Sequence, residues 1–249
     1  MHELTTEDYR NGWRLVCEMT EAASNAVAFA RQGTQQLPRL VASELTTLSV
    51  CDLARNSRSV VSSPAEAISA ADRASFDRYF AEHPLVRYHS HGGGSAHRIS
   101  DSLSGAAFRE SALYNEYYRR IGIDHVVALP LFVDRGLLVS FVLNRNRTDF
   151  SDRECALLDL VREPLAALYR NLLARNRDRG FAALPVTPRE REVLSWLAAG
   201  KTDKDIGEIL GMSPRTVQKH LQHIYDKLGV ETRTAAVVRA MEMGTASKR

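Results

Sequence analysis

With 249 residues, 44% of them hydrophobic, 25% charged and a net charge of +3, the chain is long for one ordinary domain, comfortable for two, and composed like a soluble globular protein. It has no run of about 18 apolar residues, and it opens MHELTTEDYRNGW, polar and acidic where a signal peptide is basic and then apolar; no membrane span is expected, and the chain is expected to stay in the cytoplasm. Cys17, Cys51 and Cys155 are odd in number and outside any CxxC spacing, which excludes a disulfide framework or a zinc cage and leaves buried thiols.

Taken in chain order, Tyr9, Trp13, Val16, Ala23, Val27 and Ala30 recur at steps of three and four and predict one face of a long helix from about Thr5 to Arg31. Extended segments follow at TTLSVCDL (46–53), RSVVSS (58–63), AHRIS (96–100), HVVALPLFV (125–133) and LLVSFVLNR (137–145), rich in β-formers and bounded by turn residues. Only DRG separates the last two, so they form an antiparallel hairpin. ADRASFDRYFAEHP and GAAFRESALYNEYYRRIG read as helices between the strands, and residues 152–173 as a closing helix that Pro164 should kink or split. This order predicts an α+β domain on an antiparallel sheet. Its element order and texture resemble small sensor domains of the GAF type. The expected organisation is a sensing or dimerising domain over 1–175, a linker over 176–186 and a second domain over 187–249, the joint lying in YRNLLARNRDRGFAALPVTP.

Several functions are excluded or disfavoured for residues 1–184. They hold 22 Arg, 22 acids and no Lys, so a phosphoacceptor receiver domain and a GxxxxGK phosphate loop are both ruled out. An acyl-homoserine-lactone pocket framed by Trp, Tyr, Asp and a second Trp is disfavoured, because only Trp13 lies upstream. His83, His89, His91 and His97 invite a metal reading, and HGGG (91–94) imitates an esterase oxyanion loop. Their spacing is irregular and no GxSxG elbow exists, so neither metal, cofactor nor catalytic residue is expected. The alternative kept from another class is a metal-dependent hydrolase using the 89–97 histidines, fused to a DNA tether. Tyr114, Tyr117 and Tyr118 are either packing residues or the lining of a small-molecule pocket between sheet and helices.

Beyond the joint, Thr187 with Pro188 and Glu190, Thr202 with Asp205, Ser213 with Pro214, and Thr232 mark four helix starts, predicting helices over about 188–199, 203–210, 214–228 and 233–243. Val193, Leu194, Leu197, Ile206, Ile209, Leu210, Val217, Leu221, Ile224 and Leu228 supply a shared core, and GMS (211–213) is a helix-turn-helix corner. Residues 185–249 carry all the excess charge, 11 Lys and Arg against 8 acids. The third helix leaves Arg215, Thr216, Gln218, Lys219, His220, Gln222 and His223 outside the core, with Asp226 its only acid. Gln pairs bidentately with adenine and Lys reaches guanine acceptors, whereas Arg215, Thr216 and His220 suit phosphates.

The segment VTPREREVLSWLAAGKTDKDIGEILGMSPRTVQKHLQHIYDKLGVETRTAA resembles the DNA-binding domain of LuxR-type regulators over about 50 residues. Departures are Val186 for Leu, Gly207 for Ala, and Gln218 where Lys is common. Region 4 of a sigma factor opens similarly but lacks KLGVETRTAA. The resemblance implies an all-α four-helix domain whose unit from about Thr202 to Leu221 docks in the major groove, with Gln218, Lys219 and Gln222 reading bases and Thr216, Val217 and His220 supporting backbone contact; Lys204 and Lys227 complete the candidate set. It also implies double-stranded DNA as partner, a homodimer reading two half-sites, and RNA polymerase as a partner if the chain activates.

Overall fold

The computed structural model describes residues 4–239 except Arg135, Ala183, Ala199, Thr234 and Val238. Packing divides the chain into two compact units, Met1–Arg170 and Asn171–Arg249.

The first unit opens with α1 (Thr6–Ala22) and α2 (Ala26–Leu40), where the apolar period had predicted a single helix. The break has a local cause. Asn25 takes extended backbone, and its side-chain oxygen accepts from the N–H groups of Val27 and Ala28, starting a new helix. Asn25→Ala is expected to cost about 1 kcal/mol of stability, measured by chemical denaturation. The new start also re-aims the apolar positions: Val16, Ala23 and Ala30 are buried, but Tyr9, Trp13 and Val27 are exposed.

Five antiparallel strands form one sheet in the order β2-β1-β5-β4-β3, the antiparallel sheet of an α+β domain that was expected. They are β1 (Leu45–Asp52), β2 (Ser57–Ser63), β3 (His97–Arg98), β4 (His125–Asp134) and β5 (Leu137–Arg145). The AHRIS segment contributes only two strand residues before a short helix takes over. Pro130, which has no N–H to give the ladder, sits at a register shift in β4 opposite Ser140.

Alternation sends the strands' side chains to two different layers. Phe141 meets α2 on one face: its ring lies 5.6 Å from Phe29, and a Cβ at Gly33 would come within 2.2 Å of it. Phe29 also contacts Tyr169 of α7 (Asp152–Ala182), which remains a single helix through Pro164 and neither splits nor ends at 173 as expected. The opposite face carries Leu45, Cys51, Ala128 and Leu138. It is covered by short pieces: α3 (Ala70–Arg78), α4 (Pro84–Ser90), α5 (Ile99–Ser102), α6 (Gly105–Glu110) and a π-helical turn over Tyr114–Tyr118. The helix predicted over 105–122 is thus interrupted at Ser111, whose backbone is extended.

In the second unit, α8 (Pro188–Ala198), α9 (Asp203–Leu210) and α10 (Pro214–Leu228) enclose Val193, Leu194, Leu197, Ile206, Val217, Leu221, Ile224 and Leu228. Ile209, assigned to this core from its spacing, is 45% exposed. Thr232 caps as expected, accepting from the Ala235 N–H; most of the fourth helix expected over 233–243 lies outside the described residues.

Candidate nucleic-acid interface and sensor cavity

The corner of the second unit is built by its caps. Thr202 and Asp205 form a reciprocal capping box at the start of α9, and Gly211 ends that helix with φ of 66°. Ser213 then accepts from the Thr216 N–H and starts α10 with Pro214 in its first turn. Two ion pairs brace the corner: Arg233 bridges Asp203, and Lys227 grips Glu190 at 2.7 Å. Burial pushes the Glu190 carboxyl up, but Lys227 and the Thr187 N–H together hold it below its ordinary value. Lys227→Met leaves that buried carboxylate without its cation. The expected loss is about 2 kcal/mol at pH 7, less than the roughly 3–5 of a fully buried pair because the Lys227 side chain is 38% exposed. Since Glu190 is held below 4.5, the loss should fade as pH drops through that range, which thermal unfolding would follow.

On α10, Val217, Leu221, Ile224 and Leu228 turn inward while Arg215, Thr216, Gln218, Lys219, Gln222 and His223 are exposed and His220 is half-buried. Lys204 is exposed on α9. Lys204, Arg215 and Lys219 form no ion pair among the described residues. Uncommitted cations on the outer face of a capped helix, with two amides between them, are suited to phosphates and base edges.

In the first unit a small cavity of about 30 Å³ lies between the sheet and the short helices, room for about two water molecules. Its floor alternates along β1 and β5: Leu45, Thr47, Ser49 and Cys51 beside Leu138, Ser140, Val142 and Asn144. Four of these are polar and buried, where a sheet face under helices is normally apolar. The roof brings Phe76, His83, His89, Tyr117 and Tyr118, and Arg58 of β2 enters from the side. The Arg58 guanidinium lies 3.6 Å from the Phe76 ring centroid and donates to the Tyr117 hydroxyl at 3.0 Å. Burial, with Arg58 nearby, lowers the His83 pKa to about 3; burial, partly offset by the Gly93 carbonyl, lowers that of His89 to about 4.

The description "Bacterial regulatory proteins, luxR family" matches residues 184–240. These residues are a luxR-family domain. The chain is 32% identical over 161 residues to the putative HTH-type transcriptional regulator y4qH of Sinorhizobium fredii, covering 59% of this chain and 48% of that one. It is 39% identical over 80 residues to the quorum sensing-dependent transcriptional regulator VjbR of Brucella abortus, covering 32% and 31%. It therefore spans about half the length of the first relative and a third of the second. Among solved structures, SdiA in complex with octanoyl-rac-glycerol aligns with a TM-score of 0.55 at 18% identity over 96% of both chains. The ligand-binding domain of VqsR from Pseudomonas aeruginosa aligns with a TM-score of 0.50 at 16% identity over 65% of this chain and 96% of its own. At such identities the likeness is one of fold.

Of the DNA candidates, Arg215, Thr216, Gln218, Lys219 and Gln222 are exposed on α10 and Lys204 is exposed on α9. Two of the candidates also serve the fold. The Val217 side chain is fully buried and serves the core, so only its backbone can face a partner. Lys227 is held by Glu190 and braces the fold. In the first unit, Tyr117 and Tyr118 line the cavity, but Tyr114 does not; its hydroxyl donates to Asp124 at 2.6 Å. Among the histidines weighed for metal, His83 caps α4, His89 faces the Gly93 carbonyl, and His97 stacks on Tyr88 at 3.5 Å. The sequence reading missed Arg58, His83, His89 and the hydroxyl floor as cavity residues. The available signal was the run Thr47, Ser49 and Ser140 at inward strand positions.

Proposed function

We propose that the chain is a homodimeric transcriptional regulator whose luxR-family domain reads operator DNA and whose first unit senses a small molecule. The observation that carries this reading is the outer face of α10, where Arg215 and Lys219 stand exposed without ion-pair partners among the described residues, beside Gln218 and Gln222. The curated relatives named above are transcriptional regulators, one of them quorum sensing-dependent. SdiA, similar in fold, has been solved with octanoyl-rac-glycerol, which supports assigning the cavity of the first unit to a ligand. We place the joint between sensing domain (1–175) and DNA-binding domain (187–249) at residues 176–186. Function then lies in contact with DNA, and with RNA polymerase if the protein activates, without chemistry on a substrate. No helix of the described residues is long and apolar enough to cross a membrane.

The test is footprinting of the full chain on genomic DNA. Two protected half-sites about one helical turn apart are expected of a dimer, with affinity falling steeply as salt rises. A chain that ignores duplex DNA at low ionic strength would refute the assignment.

A further inference from the structure

The cavity of the first unit is asymmetric in its hydrogen bonding. The Leu85 N–H donates to His83 Nδ1, so the hydrogen of this neutral ring sits on Nε2 and is given to the Tyr118 oxygen at 2.7 Å. Tyr118 therefore keeps its own hydroxyl hydrogen, for which no acceptor exists among the described residues. Tyr117 is in the same position, because its oxygen already accepts from Arg58. The remaining N–H groups of Arg58 face no carboxylate within ion-pair distance among the described residues; Asp77, whose field reaches the neighbouring Cys51, is not part of the lining. One wall thus offers a cation and two hydroxyl hydrogens. Opposite in character is His89: its Nδ1–H donates to the Gly93 carbonyl at 2.8 Å, leaving Nε2 buried as an acceptor with no partner. Apolar surface comes from Phe76, Leu85, Val86, Leu138 and Val142, beside the hydroxyls of Thr47, Ser49 and Ser140 and the Asn144 amide.

Given the ligand-sensing role proposed above, we infer that the cavity selects an organic monocarboxylate, its carboxylate taken by Arg58, Tyr117 and Tyr118, its apolar body against Phe76 and the aliphatic wall. A hydroxyl or N–H on that body would satisfy His89 Nε2. A carboxylate supplies the lone pairs that a guanidinium and two hydroxyls require, and a guanidinium stacked on an aromatic ring has already lost part of its water. A phosphate dianion carries a second charge for which the lining, among the described residues, holds no second cation. The present free space admits the carboxylate but not a body of metabolite size, so binding must move the covering layer. That layer is built of short helices and turns, the least costly part of the unit to shift.

Matched probes decide the matter: phenylacetate against phenylacetamide, octanoate against octanamide, and sulfate, each added to the full chain at pH 7.5 with thermal unfolding as readout. At saturating concentration at least one acid should raise the midpoint by roughly 5 °C, and its amide by less than a third of that. Arg58→Met, which keeps the stem over Phe76, should abolish the difference; Arg58→Lys should restore part of it, and Tyr118→Phe should weaken it. An amide or sulfate as effective as the acids, an acid effect that survives Arg58→Met, or no acid shifting the wild-type chain would overturn the inference. Each of these leaves the regulator reading intact, which fails separately if the unliganded and acid-bound chains both ignore duplex DNA.

Discussion

Lys219→Ala and Gln222→Ala are each expected to weaken binding to the cognate operator by about 1–3 kcal/mol, a loss of roughly ten- to a hundredfold, while changing affinity for unrelated duplex far less. Both side chains stand one helical turn or less apart on the exposed stripe of α10, whose inner stripe of Val217, Leu221, Ile224 and Leu228 fixes the helix against rotation. Gln222 is already oriented, since its amide donates to Asp226 at 3.2 Å; that bond holds the side chain along the helix and leaves its carbonyl oxygen open. Arg215 occupies the first turn of α10, where backbone N–H groups also point outward, a place suited to phosphate. Arg215→Ala should therefore weaken all sequences alike and reduce the slope of log affinity against log salt by about 1. Fluorescence anisotropy over a salt series on operator and scrambled duplex separates the two patterns. Equal losses on both duplexes for Lys219→Ala would reassign it to the backbone. Because residues 219 and 222 are neighbours on one face, the double variant should fall short of the sum of the single losses.

What the sequence revealed depended on how local the cause was. Caps and turn glycines act within four residues, so the starts at Thr202 and Ser213 and the corner at Gly211 were readable, as were the strands flanked by turns. Period alone was less reliable where a polar residue could restart the chain: Ser24 and Asn25 sat inside an apolar rhythm that ran past them, and the cap at Asn25 overrode it. Pro164 failed to break α7 because neighbouring layers hold the helix on both sides of it, with Leu158, Val161, Leu165 and Ala166 all buried. Ile209 shows the converse, an apolar residue left outside while Ile206 and, in part, Leu210 of the same helix meet the core. The cavity was the least legible part. Arg58 reaches Tyr117 across 59 residues of sequence, and His83 reaches Tyr118 across 35; no local rule joins them.

Burial of two histidines gives the first unit a pH dependence. His83 and His89 are both buried and neutral, held down to about 3 and about 4 from an ordinary 6.5. Around His83 stand Arg58, which repels a proton there, the Tyr118 hydroxyl and the Phe76 ring; around His89 stand His97, Tyr88 and the Gly93 carbonyl. With the folded values depressed, the unfolded chain binds more protons below pH 6.5. The stabilisation is complete above 6.5 and is lost as pH falls, until the folded rings themselves take up protons near 4 and 3. Each ring contributes about 1.4 kcal/mol per pH unit, so by pH 5 the unit should have lost about 2 kcal/mol per histidine and about 4 in total. Hydrogen exchange at β1 and β5 amides between pH 7.5 and 5, corrected for intrinsic rates, reports that loss from the sheet under both rings. His83→Asn retains an oxygen able to cap the Leu85 N–H and removes one titrating group. It should halve the slope whatever it does to absolute stability. An unchanged slope in that variant would mean that His83 takes up its proton in the fold as it does in the unfolded chain, so that its burial contributes nothing to the pH dependence.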